Sequence, residues 1–214
     1  MPICMIIGAP PASIVYGTNT GSLTAPTTNT SWSFPGCSIG PAANDRLVIV
    51  GTFYLNTATT AASCTIGGIA ATEVTGCHIR SASDIEIRLF KAVVPTGTTA
   101  TVVVNTGTAT GCFIGVWSAY DLISTTAVDS SVHAPAAGTT VILDLNVSAG
   151  GVVCAMGITP NAVSWTGLTQ DYDRINSVWQ SGASDAFTGA ATPQTVRVNT
   201  APGTGAVMCA VSFR

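Results

Sequence analysis

The sequence has little charge. Charged residues make up 8% of its 214 residues, lysine occurs once, at position 91, and the formal net charge is −3. Because there is no basic stripe to neutralise a phosphate backbone, a nucleic acid is not expected as a direct ligand. No uninterrupted apolar run reaches the roughly 18 residues that a membrane-spanning helix requires, so no membrane partner is expected either.

The apolar share of the composition is high, at 47%, so the surface must be covered mostly by Thr, Ser, Asn, Gly and Ala. Thr and Val are abundant, Glu and Lys are scarce, and long helical patterns are missing, which favours strands over helices. A β protein with so few charges has little to stop its exposed strand edges from pairing with other chains. The composition therefore predicts an all-β protein with much of its surface covered by partners.

A secretory signal is also missing. Residues 1–8 are apolar, but they lack the basic segment and the apolar length of such a signal. If the protein is found outside a cell, we expect it to have left by another route. Release inside a virus particle is one such route.

Motifs for nucleophilic catalysis are absent as well. His78 and His133 are the only histidines, and a nucleophilic relay needs a base beside a nucleophile. Cys77 and His78 are neighbours in sequence, and neighbours in a strand point to opposite faces, which argues against a dyad. His133 falls in a predicted loop. We therefore predict no catalytic residue and no enzyme activity.

Signals for a metal or a cofactor are missing too. The cysteines show no CxxC spacing that would indicate zinc, and no glycine-rich loop is typical of phosphate binding. Asp171, Asp173 and Asp185 lack the alternating loop of a calcium site, so we interpret them as a solvated turn. A hydrolase with two opposed carboxylates stays open, because the sequence does not show which of the ten acidic residues face each other.

Cysteine is the most informative residue type. The seven cysteines cannot all pair within one chain, because their number is odd. Four of them lie in strand patterns and are predicted to be buried thiols: Cys64, Cys112, Cys154 and Cys209. Three lie near loops or in the N-terminal segment and are candidates for inter-chain disulfides in an oxidising setting: Cys4, Cys37 and Cys77. Cys4 is the leading candidate for such a disulfide, because chain ends are mobile and accessible to other chains.

The clearest strand patterns lie in the middle of the chain. Residues 84–90 alternate between apolar side chains and positions such as Glu86 and Arg88, which predicts a strand with one buried and one wetter face. A Pro-Thr-Gly turn follows. Residues 101–104 are β-branched and residues 113–117 are apolar, so each predicts a further strand. Three strands separated by turns indicate an antiparallel β domain.

Similar patterns cover most of the chain. The other predicted strands are residues 3–7, 13–16, 47–55, 63–66, 70–74, 128–132, 140–147, 152–158, 162–166, 194–199 and 206–213. Residues 17–31 are rich in Thr, Asn, Gly and Ser and have little to bury. We therefore predict an extended N-terminal arm over residues 1–31, for docking or strand exchange, and a single β domain over residues 32–214.

The order of several segments resembles a domain of tailed-bacteriophage virion proteins and related bacterial surface proteins. The segments are residues 45–51 (DRLVIVG), 64–72 (CTIGGIAAT), 94–102 (VPTGTTATV), 114–122 (IGVWSAYDL) and 210–213 (AVSF). This resemblance covers about residues 32–214. It implies a jelly-roll-like antiparallel β-sandwich that is often trimeric, and it brings no catalytic, cofactor or metal residues with it.

The resemblance also implies a structural role in a virus particle. The expected function is that of a capsid decoration, head-spike (head fibre), collar or tail subunit, which forms a homo-oligomer and docks on other virion proteins such as the major capsid protein. Its expected location is the virion, assembled in the host cytoplasm and then extracellular. The arm at residues 1–31 lies outside the resemblance and is the part expected to dock.

A carbohydrate-binding or receptor-binding module is the alternative function. Trp165, Tyr172 and Trp179 lie within fifteen positions of one another in a turn-rich region. If they were exposed together, they could stack on sugar rings. The other interpretation is that these aromatic side chains fill the core, where large aromatics contribute most of the burial.

Overall fold

The computed structural model describes residues 10–23, 27–56, 62–80, 85–133, 140–159, 162–176, 178–199 and 206–214. Strands connected by turns make up the described residues, and all of the strand pairings are antiparallel. The same residues contain no helix long and apolar enough to cross a membrane. The prediction of an all-β, antiparallel fold is confirmed.

Fifteen strands run through the described residues. They are β1 (Ser13–Leu23), β2 (Asn29–Ser38), β3 (Leu47–Asn56), β4 (Ser63–Ile66), β5 (Ile69–Arg80), β6 (Ile85–Val93), β7 (Thr99–Tyr120), β8 (Ala127–His133), β9 (Thr140–Val147), β10 (Val152–Thr159), β11 (Ser164–Thr166), β12 (Thr169–Asn176), β13 (Val178–Ala186), β14 (Ala191–Asn199) and β15 (Val207–Phe213).

The longest strand, β7, has 22 residues and bends the first sheet into a ring. Its first half pairs with β2 and β4, and its second half pairs with β1 and β3. Because β4 also continues through β5 and β6 to β3, the series of pairings returns to β7. We call this seven-stranded unit the curled sheet.

The curled sheet encloses the first of three hydrophobic clusters. Its inner face contributes Trp32 and Phe34 from β2, Val50 from β3, Phe90 from β6 and Val104 from β7, all buried. Alternate residues of each strand face inward, as the two-residue period of a strand requires. Each fully buried aliphatic or aromatic side chain contributes about 1.5–3 kcal/mol, so this cluster stabilises the ring.

A five-stranded sheet packs on the outer face of the curled sheet, with the strand order β12-β13-β10-β15-β8. The second cluster fills the interface, with Phe53, Phe113 and Trp117 from the curled sheet and Met156 and Phe213 from the five-stranded sheet. Strands β10 and β15 are buried along their whole length. Their predominantly apolar sequences follow from having a packed sheet on each side.

A three-stranded sheet, β11-β14-β9, covers the other face of the five-stranded sheet. The third cluster lies between them and includes Leu145, Val198 and Met208. The molecule therefore has three layers of sheet, with a sandwich-like interface on each side of the middle one. The apolar runs in the sequence show that β10 and β15 are buried, but they do not show how many sheets bury them.

Much of the predicted N-terminal arm belongs to the curled sheet. Strand β1 pairs with β7 along its length, and β2 begins at Asn29 in the same sheet. The prediction that residues 1–31 form a separate arm is therefore corrected for residues 13–23 and 29–31. Small and polar side chains can form this edge strand because only part of it needs to be buried. The strand predicted at residues 3–7 lies outside the described residues.

A buried arginine, Arg46, ties two loops together just before β3. Its guanidinium donates hydrogen bonds of 2.7–2.9 Å to five backbone carbonyls. The acceptors are Gly40, Pro41, Val94, Thr96 and Gly97. They lie in the loop before β3 and in the loop after β6, so one side chain fixes both loops at the same end of the curled sheet.

Candidate functional site

Charged side chains meet in one place on the inner face of the curled sheet. Glu73 and His78 from β5, Glu86 and Arg88 from β6, and Tyr54 from β3 form this charge cluster. Strand β6 lies between β3 and β5, which brings the five side chains together. Glu86 and Tyr54 are 0% exposed and Arg88 is 7% exposed. Since buried charges are costly unless they are paired, their contacts decide what the cluster can do.

Arg88 stands at the centre of the charge cluster. Its Nε donates to the Tyr54 hydroxyl and to Glu86 Oε1, both at 2.8 Å, and its Nη2 donates to Glu86 Oε1 at 2.6 Å. Its Nη1 donates to Glu73 Oε2 at 2.5 Å. Burial lowers the pKa of Arg88, but Tyr54 and the two carboxylates outweigh burial and raise it. The guanidinium is therefore a fixed positive centre.

Glu86 also holds a histidine. His78 Nε2 lies 2.7 Å from Glu86 Oε1, and the His78 side chain is 38% exposed. The second carboxylate oxygen, Oε2, is buried without a hydrogen-bond partner. A carboxylate behind a solvent-accessible imidazole can orient a base, but here the same oxygen receives the hydrogen bonds of Arg88. The arrangement can hold and orient the imidazole of His78, and Glu86 serves as the ion-pair partner of Arg88.

Cys77 and His78 point away from each other. The Cys77 thiol is in the second hydrophobic cluster and donates to the carbonyl of Ala210 at 3.4 Å. His78 faces Glu86 in the charge cluster. The two side chains lie on opposite faces of β5, so they do not form a thiol–imidazole pair.

The sequence pattern misplaced the two charged residues of β6. Glu86 and Arg88 were predicted to lie on the wetter face of their strand, and the structure buries both. Their face is turned inward because β7 closes the curled sheet on itself, which no local pattern shows. The one signal in the sequence is that opposite charges two positions apart share a strand face.

A second group of side chains, aromatic and acidic, lies where β1 and β7 contact β12. The rings of Tyr16, Trp117 and Tyr172 pack together, with centroids 5.4 to 6.4 Å apart. Trp117 Nε1 donates to Asp171 Oδ2 at 2.7 Å. A Cβ at Gly182 would come within 2.2 Å of the Tyr172 ring, so only glycine lets the ring lie against β13. This aromatic cluster joins the two larger sheets.

The acid and the phenol in the aromatic cluster both have perturbed pKa values. Burial raises the pKa of Asp171, and the hydrogen bond from Trp117 opposes that shift. Burial also raises the pKa of Tyr172, and the charges of Tyr16 and Asp171 raise it further. Perturbed groups mark candidate functional sites. Here burial between two packed sheets accounts for the largest part of each shift.

The raised pKa of Asp171 predicts a pH-dependent stability. The stabilisation linked to its proton is full below the ordinary aspartate pKa of about 3.9 and is lost as pH rises through the raised value. We expect Asp171→Asn, which keeps an acceptor for Trp117, to become more stable relative to the unsubstituted protein from about pH 4 to about pH 7. Urea unfolding at both pH values measures this difference. An equal change in the control Asp144→Asn, at an exposed position, would contradict it.

Trp165 and Tyr172 do not share a surface. Trp165 packs against the third cluster, and its Nε1 donates to Ser181 Oγ at 2.6 Å. Tyr172 packs against the second cluster, on the other face of the five-stranded sheet. Trp179 lies in β13 and its backbone pairs with Thr159 of β10, and its side chain lies outside the described part of the chain. The prediction that Trp165, Tyr172 and Trp179 form a glycan platform is therefore corrected for Trp165 and Tyr172, which pack on opposite faces of the five-stranded sheet.

The described cysteines are all free and buried. They are Cys37, Cys64, Cys77, Cys112, Cys154 and Cys209. Cys37 and Cys77, two of the candidates for inter-chain disulfides, are 1% and 0% exposed, so a bond to another chain would require their strands to open. Burial raises the pKa of Cys37 and of Cys209, which suppresses their reactive thiolate form. The third candidate, Cys4, lies outside the described residues and stays a prediction.

The three aspartates weighed as a calcium site accept hydrogen bonds from the protein itself. Asp171 accepts from Trp117, Asp173 from the backbone of Val163, and Asp185 from Thr169. Within the described ranges, no group of three or more His, Cys, Asp or Glu side chains is placed to hold a metal ion. These carboxylates act as hydrogen-bond acceptors that fix β12 and its neighbours.

No protein-family model matches the chain, and no curated protein matches it either. The charge cluster, the aromatic cluster and the surface of the three sheets are the features of the chain that bear on its function.

Proposed function

We propose that this chain is a non-enzymatic structural subunit of a tailed-bacteriophage particle, of the capsid decoration, head-spike or collar type. It acts by forming a homo-oligomer and by docking on other virion proteins such as the major capsid protein. Its place is the virion, which is assembled in the host cytoplasm and then released. The observation that carries the proposal is a β surface with very few free charges.

That surface is poorer in charge than the composition suggests. Of seven basic and ten acidic residues, Arg46, Glu86 and Arg88 are buried and bonded inside the protein. Buried charges contribute nothing to repulsion between copies of the chain. A surface of this kind favours close association, because little charge must be desolvated when two copies meet.

Three of the four outer strands of the smaller sheets carry little charge as well; the fourth, β12, carries Asp171, Asp173 and Arg174. Strand β11 has no charged residue, and β8 and β9 have one aspartate each, Asp129 and Asp144. Asp129 accepts hydrogen bonds from Asn146, and Asp144 accepts one from Thr195. Both carboxylates are therefore engaged within the chain. Since charge on outer strands is a common protection against edge pairing, these strands are open to contacts with neighbouring subunits.

Native mass spectrometry of the purified protein tests the proposal. We expect a trimer at micromolar concentration, because the virion proteins that the sequence resembles are often trimeric. In the absence of reductant, part of the trimer is expected to be covalent through Cys4, since the described cysteines are buried. Reductant should break the covalent link and leave the trimer intact.

The Cys4→Ser variant is the matched control for the covalent part. It should form the same trimer without any species that reductant converts. A monomer under all of these conditions would contradict the structural-subunit proposal, because the charge-poor surface would then have no partner of its own kind.

A further inference from the structure

Three buried thiols belong to the second hydrophobic cluster, between the curled sheet and the five-stranded sheet. They are Cys77 of β5, Cys154 of β10 and Cys209 of β15, and each is 0% exposed. A buried cysteine usually acts as a small apolar group. Cys77 and Cys209, however, come from different sheets, so a bond between them would join the two sheets covalently.

Strand β5 comes close to β8 and β15 just before Cys77. The Ser130 hydroxyl of β8 donates to the carbonyl of Thr75 at 2.8 Å, and a Cβ at Gly76 would come within 2.3 Å of that hydroxyl oxygen. Ser130 in turn pairs with Val211 of β15. Some Cα atoms of β5 and β15 lie within 8 Å of each other, which is closer than the roughly 10 Å between two packed sheets. This approach brings the two strands near the Cα separation of about 4.4–6.8 Å that a disulfide joins.

The Cys77 thiol lies beside Cys209. Its Sγ donates to the carbonyl oxygen of Ala210 at 3.4 Å. Along β15, Cys209 and Val211 face the curled sheet, whereas Ala210 faces the three-stranded sheet. Because alternate side chains of a strand share a face, a thiol above the Ala210 carbonyl lies between Cys209 and Val211. Burial raises the pKa of Cys209, and a hydrogen bond with the Cys77 side chain raises it further.

We propose that Cys77 and Cys209 form a disulfide bond that fixes the five-stranded sheet to the curled sheet. The oxidant is a small-molecule disulfide such as oxidised glutathione. The thiolate of one cysteine attacks it and releases one reduced glutathione, and the thiolate of the other cysteine then releases the second. One S–S bond breaks and one forms: the two cysteines are oxidised, and their protons end on the two glutathione thiols.

Access to the two thiols determines when the bond forms. Both side chains are fully buried, and burial suppresses the reactive thiolate of Cys209. Exchange with glutathione therefore takes place while β15 is detached from β5, during folding or through opening of β15. The cytoplasm keeps thiols reduced, so the bond forms after the protein has left it. This inference goes beyond the proposed function and does not require an oligomer.

Cys154 is the competing partner within the same cluster. It lies in the same sheet as Cys209 but pairs with Val211, so the two cysteines are diagonal neighbours. Diagonal Cβ atoms are about 7 Å apart, whereas those of a disulfide are about 3.5–4.5 Å apart. Cys77 affects Cys154 through its charge and Cys209 through a hydrogen bond as well. The geometry therefore favours Cys209 as the partner of Cys77.

Peptide mass mapping of the whole chain tests the pairing. The protein is unfolded in urea, refolded in a buffer of reduced and oxidised glutathione, alkylated to block the remaining thiols and digested with trypsin. Tryptic peptides 47–80 and 198–214 contain Cys77 and Cys209. We expect these peptides to be linked at about tenfold the yield of any other pair within one chain, because folding holds the two thiols at high effective concentration. Fragmentation distinguishes Cys77 from Cys64 in the same peptide.

Two variants are the matched controls. Cys77→Ala should abolish the link and leave Cys209 alkylated, whereas Cys154→Ala should keep the link. In the unsubstituted protein, Cys209 recovered as a free thiol would overturn the proposal, and so would a link from Cys77 or Cys209 to Cys154. This mapping does not depend on how well either variant folds.

The stability of the oxidised protein tests whether the bond fixes the two sheets to each other. Since the bond closes a long loop of the unfolded chain, oxidation should shift the urea midpoint upward by about 1 M. Cys77→Ala should have the same midpoint with and without oxidised glutathione. Equal midpoints for the oxidised and reduced unsubstituted protein would overturn the fixing role.

Discussion

The Arg46→Met variant is expected to lose about 3–5 kcal/mol of unfolding free energy, a cost typical of breaking a buried charged contact. Methionine fills much of the same volume but leaves five carbonyls without the donors that they have in Arg46. Each buried acceptor that loses its partner costs about 1–3 kcal/mol unless water reaches it. Urea unfolding, or a melting temperature lowered by roughly 10 °C in a protein of this size, measures the loss.

Two further variants separate the geometry of Arg46 from its charge. Arg46→Lys keeps the charge, but its ammonium has three donors on one atom and reaches fewer of the carbonyls. We therefore expect its unfolding free energy to lie between those of the unsubstituted protein and Arg46→Met. Arg197→Met, at an exposed position of β14, should change stability by less than about 0.5 kcal/mol. A similarly small effect of Arg46→Met would mean that water replaces the guanidinium.

The Arg88→Met variant should also cost about 3–5 kcal/mol, because it leaves the fully buried Glu86 without its cation. Adding Glu86→Gln to that variant should recover part of the loss, since the uncompensated negative charge is then removed. Denaturant unfolding of the two single variants and the double variant gives the coupling energy. We expect the double variant to be more stable than the sum of the single changes predicts.

Glu73→Gln is the matched control for this cycle. Glu73 bonds the same guanidinium, but its side chain is 33% exposed, so its loss leaves no buried charge unpaired. We expect its cost to be the smallest of the set. Strictly additive effects of Glu86→Gln and Arg88→Met would show that the charge cluster is not energetically coupled.

The positions of most strands could be predicted because their signals are local. The apolar run at residues 47–55 corresponds to β3, and the predicted strand at residues 140–147 has the bounds of β9. Gly67 and Gly68 form the turn between β4 and β5, both with positive φ, which glycine adopts without steric cost. Alternation, β-branching and turn residues were enough for these elements.

The closure of the curled sheet could not be predicted. The sequence pattern showed two strands, at residues 101–104 and 113–117, separated by a Gly/Thr-rich link. The structure runs one strand, β7, from Thr99 to Tyr120 through that link. Small side chains there let the strand bend and pair with different partners on either side of the bend. Which strands those partners are depends on contacts distant in sequence, and a local pattern contains no information about them.

The candidate site escaped sequence analysis for the same reason. The inward position of Glu86 and Arg88 follows from the ring that β7 closes, and the carbonyls around Arg46 come from two loops about fifty residues apart. The separation of Trp165 from Tyr172 follows from the third sheet, since each packs against a different face of the middle one. Residue types were visible in the sequence, but the face that each side chain occupies was not.

The central position of β15 has a consequence for the nascent protein on the ribosome. The curled sheet has all of its strands once Tyr120 has been synthesised, whereas the five-stranded sheet lacks the strand between β10 and β8 until Phe213 has been added. The apolar outer face of the curled sheet, with Phe53 and Trp117, therefore stays exposed to solvent while the second half of the chain is synthesised. During translation this face is the part of the protein that most needs shielding from other unfinished chains.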